Sequence, residues 1–226
     1  MNIDRSARMQ TNELKAERDK VINSLVFPSL FVGLLWLIYA AQQVFHAPSE
    51  WFGLFPRAYR GIPGVLTFHL VHGGFWHLYY NSIALFVLGT LTFYFYRGIA
   101  FTAFCWIYLM TGVWLWAFGR DNSCHIGASG LVYGLLCFLF FSGVFRRDRR
   151  LLLVSVLVLT FYGSLATGIF PLTPEISWEG HMMGSLSGIA TAWFYRNEGP
   201  QKQQHFWSDE EDEDEKKWGI GEKRFH

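Results

Sequence analysis

Charged side chains are scarce in this sequence. Of its 226 residues only 16% are Asp, Glu, Lys or Arg, whereas 51% are hydrophobic and 19% aromatic. Between Ser24 and Val144 only six positions carry a charge, namely Glu50, Arg57, Arg60, Arg97, Arg120 and Asp121. A soluble domain of this size needs far more polar surface. The scarcity of charge therefore argues against a soluble protein with several buried helices.

Cysteine is also rare. Cys105, Cys124 and Cys137 form no even set, and two of them fall inside apolar runs, so we expect free thiols rather than a disulfide framework. The sequence lacks the HExxH and paired CxxC spacings of common zinc sites, and we expect no metal, no cofactor and no nucleic-acid partner. The first 20 residues are largely polar and charged, unlike a cleavable signal peptide.

The stretches between the few charges are long enough to cross a bilayer, which takes about 20 apolar residues per helix. We predict an all-α membrane protein with a cytosolic segment at 1–22 and a six-helix core at 23–196. The predicted spans are Asn23–Val44, Trp76–Tyr96, Ile99–Phe118, Ile126–Val144, Leu151–Thr167 and Gly180–Tyr195. Residues 197–226 include seven consecutive acids, Asp209–Glu215, and this composition predicts a disordered cytosolic tail.

The basic residues predict the orientation of the bundle, because they favour the inner side of a membrane. If both termini lie inside, sixteen of the nineteen Lys and Arg residues are on the inner side, and only Arg57, Arg60 and Arg120 are outside. We therefore predict an N-in, C-in topology in which the even-numbered spans enter from the outer face.

Polar residues inside a membrane are costly and mark candidate functional sites. Three groups lie near the N-terminal ends of the even-numbered spans, and thus at similar depth on the outer side. They are His72, His77 and Asn81 at the second span, Ser129 and Tyr133 in the fourth, and His181 in the sixth.

Spacing brings these groups together. The sixth span contains a doubled GxxxG (Gly180, Gly184, Gly188) that allows a neighbouring helix to approach closely. If the fourth span packs there, Ser129 Oγ comes within reach of His181, which gives the nucleophile and base of acyl transfer. No Asp or Glu lies deep in a span, so we expect a Ser-His dyad with Tyr133 stacked on the imidazole.

An oxyanion would need hydrogen-bond donors near the serine. His77 and Asn81 are four residues apart and so share one helix face. Their side chains, with the backbone N–H of Ser129 at the start of its helix, are the candidate donors.

Three motifs occur in order: HLYYN (His77–Asn81), GASG (Gly127–Gly130) and HMMGSLSG (His181–Gly188). In this combination the chain, from about residue 54 to 196, resembles the bacterial-type rhomboid family of intramembrane serine proteases. The resemblance implies that Ser129 is the nucleophile and His181 the base, that His77, Asn81 and Gly127 line the oxyanion site, and that Tyr133 packs on the base. It also implies that the substrates are transmembrane segments of membrane proteins, cleaved near the outer face of a bacterial plasma membrane. Many members carry a Trp-Arg pair in the first outer loop, whereas here Phe52 follows Trp51.

Other interpretations remain open at this stage. Ser129 alone is also compatible with a structural serine that bonds to a carbonyl one turn earlier. The chain is also compatible with an inactive rhomboid-like protein that binds or escorts membrane clients. A metal or haem site is a third alternative, built from His72, His77, Cys124, His125 and His181. The sequence makes no prediction of oligomeric state.

Overall fold

The computed structural model describes residues 2–163, 168–170 and 177–199. These residues form seven α-helices, with two short 3-10 turns (Ser49–Phe52 and Tyr59–Gly61) in the loop after the first helix. The helices are α1 (Asn2–Val44), α2 (Gly64–Thr67), α3 (Phe75–Phe95), α4 (Ala100–Phe118), α5 (Ser129–Arg146), α6 (Arg149–Tyr162) and α7 (Trp178–Phe194). The predicted all-α fold class is confirmed.

Four of these helices are long and apolar enough to cross a membrane: Gln10–Val44 within α1, and the whole of α3, α4 and α5. The fifth and sixth predicted spans correspond to α6, with 14 residues, and α7, with 17 residues. Both are shorter than the usual span of about 20 residues, so the count of six stays a prediction. The predicted end of the fifth span (164–167) and the tail from residue 200 onward lie outside the described residues.

Helix α1 begins at Asn2, about 20 residues before the predicted span. The part of α1 before Asn23 is too polar to face lipid, but it is rich in residues that favour helix, such as Glu, Lys, Arg and Ala. Pro28 lies inside α1 and packs on α3 at Gly89, where an added Cβ would be 3.1 Å from the proline Cγ. The absence of a side chain at Gly89 therefore makes room for the proline ring.

The loop at 45–74 is fastened to the start of α5 and the end of α4. Leu54 and His125 exchange two backbone hydrogen bonds of 2.9 Å, an isolated antiparallel bridge. Arg57 forms a 2.6 Å ion pair with Asp121, and the indole N–H of Trp116 donates to the carbonyl of Ala58. These contacts fix the loop beside the segment that leads into Ser129.

Helices α5 and α7 meet along the predicted glycine seam. A Cβ added at Gly184 would collide with the carbonyl oxygen of Gly130, and one added at Gly188 with the carbonyl oxygen of Gly134. Only glycine lets the two backbones come this close. The seam runs from the N-terminal ends of both helices, and so it sets the spacing of Ser129 and His181.

Candidate active site

Ser129 is the first residue of α5, and its hydroxyl points at α7. Its Oγ lies 2.8 Å from Nε2 of His181, and His181 is buried. Other hydroxyls within helices, such as those of Ser185 and Ser187, donate to the carbonyl one turn earlier. Ser129 has no preceding helical turn, so its hydroxyl pairs with the imidazole instead.

The tautomer of His181 follows from its second contact. Nδ1 lies 2.8 Å from the carbonyl oxygen of Gly168, and because a carbonyl only accepts, Nδ1–H is the donor. In the neutral ring Nε2 then carries a lone pair and accepts the hydrogen bond from the Ser129 hydroxyl. The ring of Tyr133, one turn after Ser129, stacks on the imidazole of His181, with 4.1 Å between the two ring centroids and an interplanar angle of 9°.

His77, a candidate oxyanion donor, lies against the backbone two residues before Ser129. Gly127 has φ +101°, and a Cβ there would lie 2.5 Å from Cε1 and 2.7 Å from Nε2 of His77. Glycine at this position therefore allows both the left-handed turn and the close approach of the His77 ring. Asn81, one turn further along α3, is buried, and its Nδ2 has no hydrogen-bond partner among the described residues. An unpaired buried amide donor is rare.

Comparison with known proteins bears on this geometry. The sequence model of the Rhomboid domain matches residues 58–198, more than half of the chain. The chain belongs to the rhomboid family. Members of this family are generally intramembrane serine proteases, and the matched region contains every site residue named above.

Similar sequences occur in mycobacteria. An uncharacterized protein of Mycobacterium tuberculosis is 34% identical to this rhomboid over 175 residues, which is 72% of this chain and 71% of the relative. One of Mycobacterium bovis matches to the same extent, and one of Mycobacterium leprae is 32% identical over 173 residues. These relatives extend the similarity beyond isolated motifs, and none of them carries a described activity in its name.

The structure of this rhomboid brings Ser129, Tyr133 and His181 together, and it places His77 against Gly127. Two polar contacts of the site had no role in the sequence prediction. The Gly168 carbonyl that accepts the hydrogen bond from His181 Nδ1–H is a backbone group, which leaves no signature in a sequence. His72 Nε2 accepts the backbone N–H of Ala128 at 3.3 Å, a contact that depends on how the loop before α3 folds.

The metal alternative requires its ligands to converge. The structure places His125 in contact with two serines: its Nδ1 lies 2.6 Å from Ser177 Oγ and its Nε2 lies 2.8 Å from Ser123 Oγ. Within 2–163, 168–170 and 177–199, no group of three or more His, Cys, Asp or Glu side chains is arranged to hold a metal ion. All three cysteines are free thiols.

His125 predicts a pH dependence of stability. It lies in the loop before α5, and burial lowers its pKa from 6.5 to about 4. Between pH 6.5 and 4 the unfolded chain binds a proton at His125 that the folded chain does not. The contribution of His125 to the free energy of unfolding is therefore fully present above pH 6.5 and is lost as the pH drops towards 4. The slope for this one group is about 1.4 kcal/mol per pH unit. Thermal unfolding in detergent at pH 7.5 and 4.5 measures it.

The matched variants are His125→Gln and His46→Gln. His46 is exposed in the loop after α1, so its replacement should leave the pH slope as in wild type. The His125→Gln protein should have a lower melting temperature than wild type at pH 7.5. Its melting temperature should fall less than that of wild type between pH 7.5 and 4.5. Equal slopes in all three proteins would show that His125 does not carry this dependence.

Proposed function

We propose that this rhomboid is an active intramembrane serine endopeptidase with a Ser129–His181 dyad. The observation that carries the proposal is the 2.8 Å contact between Ser129 Oγ and His181 Nε2. A serine hydroxyl is a weak nucleophile until a base removes its proton. The Gly168 carbonyl holds the imidazole proton on Nδ1, so that the lone pair on Nε2 faces the hydroxyl.

The reaction follows from this arrangement. His181 Nε2 takes the proton of Ser129 while Oγ attacks the scissile carbonyl, and the carbonyl π electrons move to the oxygen. Nε2 then delivers the proton to the departing amine nitrogen as the C–N bond breaks. Water hydrolyses the acyl-enzyme by the same two proton transfers. The imidazolium formed in each half is stabilised by the face of Tyr133, a contact of the kind that contributes about 0.5–2 kcal/mol.

The oxyanion would lie on the opposite side of Ser129 from the imidazole. The candidate donors are the unpaired Nδ2 of Asn81, the ring of His77 and the first free backbone N–H groups of α5. The N-terminal end of the α5 dipole also favours negative charge there. The left-handed turn at Gly127 brings the His77 ring against the backbone two residues before the nucleophile.

We further propose the predicted N-in, C-in topology, with Ser129 and His181 near the outer face of a bacterial plasma membrane. The distribution of basic residues supports this orientation. The substrates would be transmembrane segments of membrane proteins, which unwind near the membrane surface to expose a peptide bond.

Labelling with a fluorophosphonate probe tests the activated serine. In liposomes or detergent, wild-type protein should form a covalent adduct at Ser129, while Ser129→Ala should not react and His181→Ala should react far more slowly. An active rhomboid from another source serves as the positive control. If the control reacts and wild type does not, the protease proposal fails and a client-binding protein with an inactive site takes its place.

A further inference from the structure

The loop between α4 and α5, which leads into the nucleophile, is joined by an ion pair to α7, the helix that contains the base. Glu179 is the second residue of α7, two before His181, and only 2% of its surface is exposed. Arg120, just after α4, donates from Nε and Nη2 to the two carboxylate oxygens of Glu179. A two-pronged contact of this kind fixes orientation as well as distance.

A buried carboxylate is tolerated only while it is paired, because removal of its partner leaves an uncompensated charge away from water. The Arg120 side chain is 56% exposed whereas that of Glu179 is 3% exposed. The arginine therefore reaches in from solvent to neutralise the acid in the first turn of α7. Loss of the arginine would leave this buried carboxylate without its partner and would remove the link between the first turn of α7 and the loop after α4.

The rest of the loop transmits this constraint towards Ser129. Ser123 Oγ donates to the Arg120 carbonyl at 2.7 Å and contacts His125, whose other nitrogen contacts Ser177 at the cap of α7. Gly127 N–H donates to the Phe68 carbonyl at 2.8 Å. The segment from Arg120 to Ser129 is thus attached to α7 and its cap through Arg120 and His125, and to the loop at 45–74 through the backbone of His125, Gly127 and Ala128.

We infer that the Arg120–Glu179 pair is a positioning device that holds the His181 imidazole in register with the Ser129 hydroxyl. The inference rests on the proposed function for its catalytic consequence, but the placement of the imidazole is a structural claim in its own right. Arg120 and Glu179 are positioning residues and contact neither the nucleophile nor the base.

The experiment compares Arg120→Met, Arg120→Lys and Glu179→Gln with Asp121→Asn. Asp121 is the matched control because it lies in the same loop and forms an exposed pair with Arg57 that does not involve α7. Two readouts are needed. The first is the imidazole 15N spectrum of histidine-labelled protein, with the His181 signal assigned through His181→Gln. The second is cleavage of a transmembrane substrate in liposomes, with kcat and KM measured separately.

In wild type the His181 signal should show the proton on Nδ1. Arg120→Met and Glu179→Gln should shift that signal and lower kcat about 10- to 100-fold with KM changed less than about 3-fold, because binding groups are untouched. Arg120→Lys keeps the charge but not the two-pronged geometry, and its loss should be intermediate. It also folds under milder strain, which keeps the inference testable if Arg120→Met does not fold. Asp121→Asn should match wild type in both readouts.

The outcomes separate the two claims. If wild type cleaves and the folded Arg120 and Glu179 variants keep both the wild-type His181 signal and the wild-type kcat, the positioning inference is wrong. If wild type neither cleaves nor reacts with the probe, the proposed function fails. In that case a shifted His181 signal in Arg120→Lys still supports positioning, and an unshifted one overturns it.

Discussion

Replacement of Ser129 with alanine is expected to lower cleavage of a transmembrane substrate by at least about 10⁴-fold, as removal of a catalytic serine does in other serine proteases. The reason is that Ser129 supplies the hydroxyl at hydrogen-bond distance from His181 Nε2, whereas the hydroxyls of Ser185 and Ser187 in α7 donate to carbonyls of their own helix. His181→Ala should cause a loss of similar size, because the pair acts as a unit. Asn81→Ala should lose less, about 10²- to 10³-fold, since an oxyanion donor is partly redundant.

The measurement is single-turnover cleavage in proteoliposomes with equal amounts of folded protein. Ser187→Ala is the matched control, because it removes a buried hydroxyl from α7 that donates to the Met183 carbonyl. It should keep near wild-type turnover. Equal loss in Ser129→Ala and Asn81→Ala would contradict the division between nucleophile and oxyanion donor. Residual turnover within about 10-fold of wild type in Ser129→Ala would show that another group attacks the substrate.

Much of the bundle could be predicted because two physical signals in the sequence are strong. Runs without charge indicate helices that cross lipid, and four of the six predicted spans are long apolar helices in the structure. The glycine repeat at Gly180, Gly184 and Gly188 indicates close backbone packing, and α5 and α7 meet at these glycines. The same seam places Ser129 beside His181, so the candidate dyad could be predicted from the spacing of these residues in the sequence.

The contacts that orient the site could not be predicted from the sequence in the same way. The Gly168 carbonyl that fixes the His181 tautomer is a backbone atom. The bridge between Leu54 and His125 joins two loops without strand patterning. Glu179 pairs with Arg120, which is 59 residues away in the sequence. Such long-range pairing depends on loop paths, which hydrophobic periodicity does not encode.

The start of α1 shows a further limit of hydropathy. The apolar run predicts a membrane span that begins near Asn23, whereas the helix begins at Asn2. Hydropathy reports where lipid can surround a helix, and backbone hydrogen bonding reports where the helix ends. A polar segment of good helix formers can therefore be helical without being surrounded by lipid.

A side chain at Gly184 is expected to have the largest effect on stability. Its Cβ would collide with the Gly130 carbonyl, a backbone atom that cannot rotate away, so α5 and α7 would have to separate along the whole seam. Overpacking in a close-packed interior usually costs about 1–3 kcal/mol. A backbone collision is at the upper end, and we expect Gly184→Val to lower the free energy of unfolding by at least about 3 kcal/mol.

Gly33→Ala is the matched control, because a Cβ at this helical glycine of α1 meets no atom within 4 Å. Alanine also favours helix over glycine by up to about 1 kcal/mol, so this variant should melt at or above the wild-type temperature. Gly184→Ala separates packing from catalysis. It should remain folded at low temperature yet label poorly with the probe, since widening of the seam moves His181 away from Ser129. Wild-type labelling and melting in Gly184→Ala would mean that the α5–α7 contact does not set the spacing of the pair.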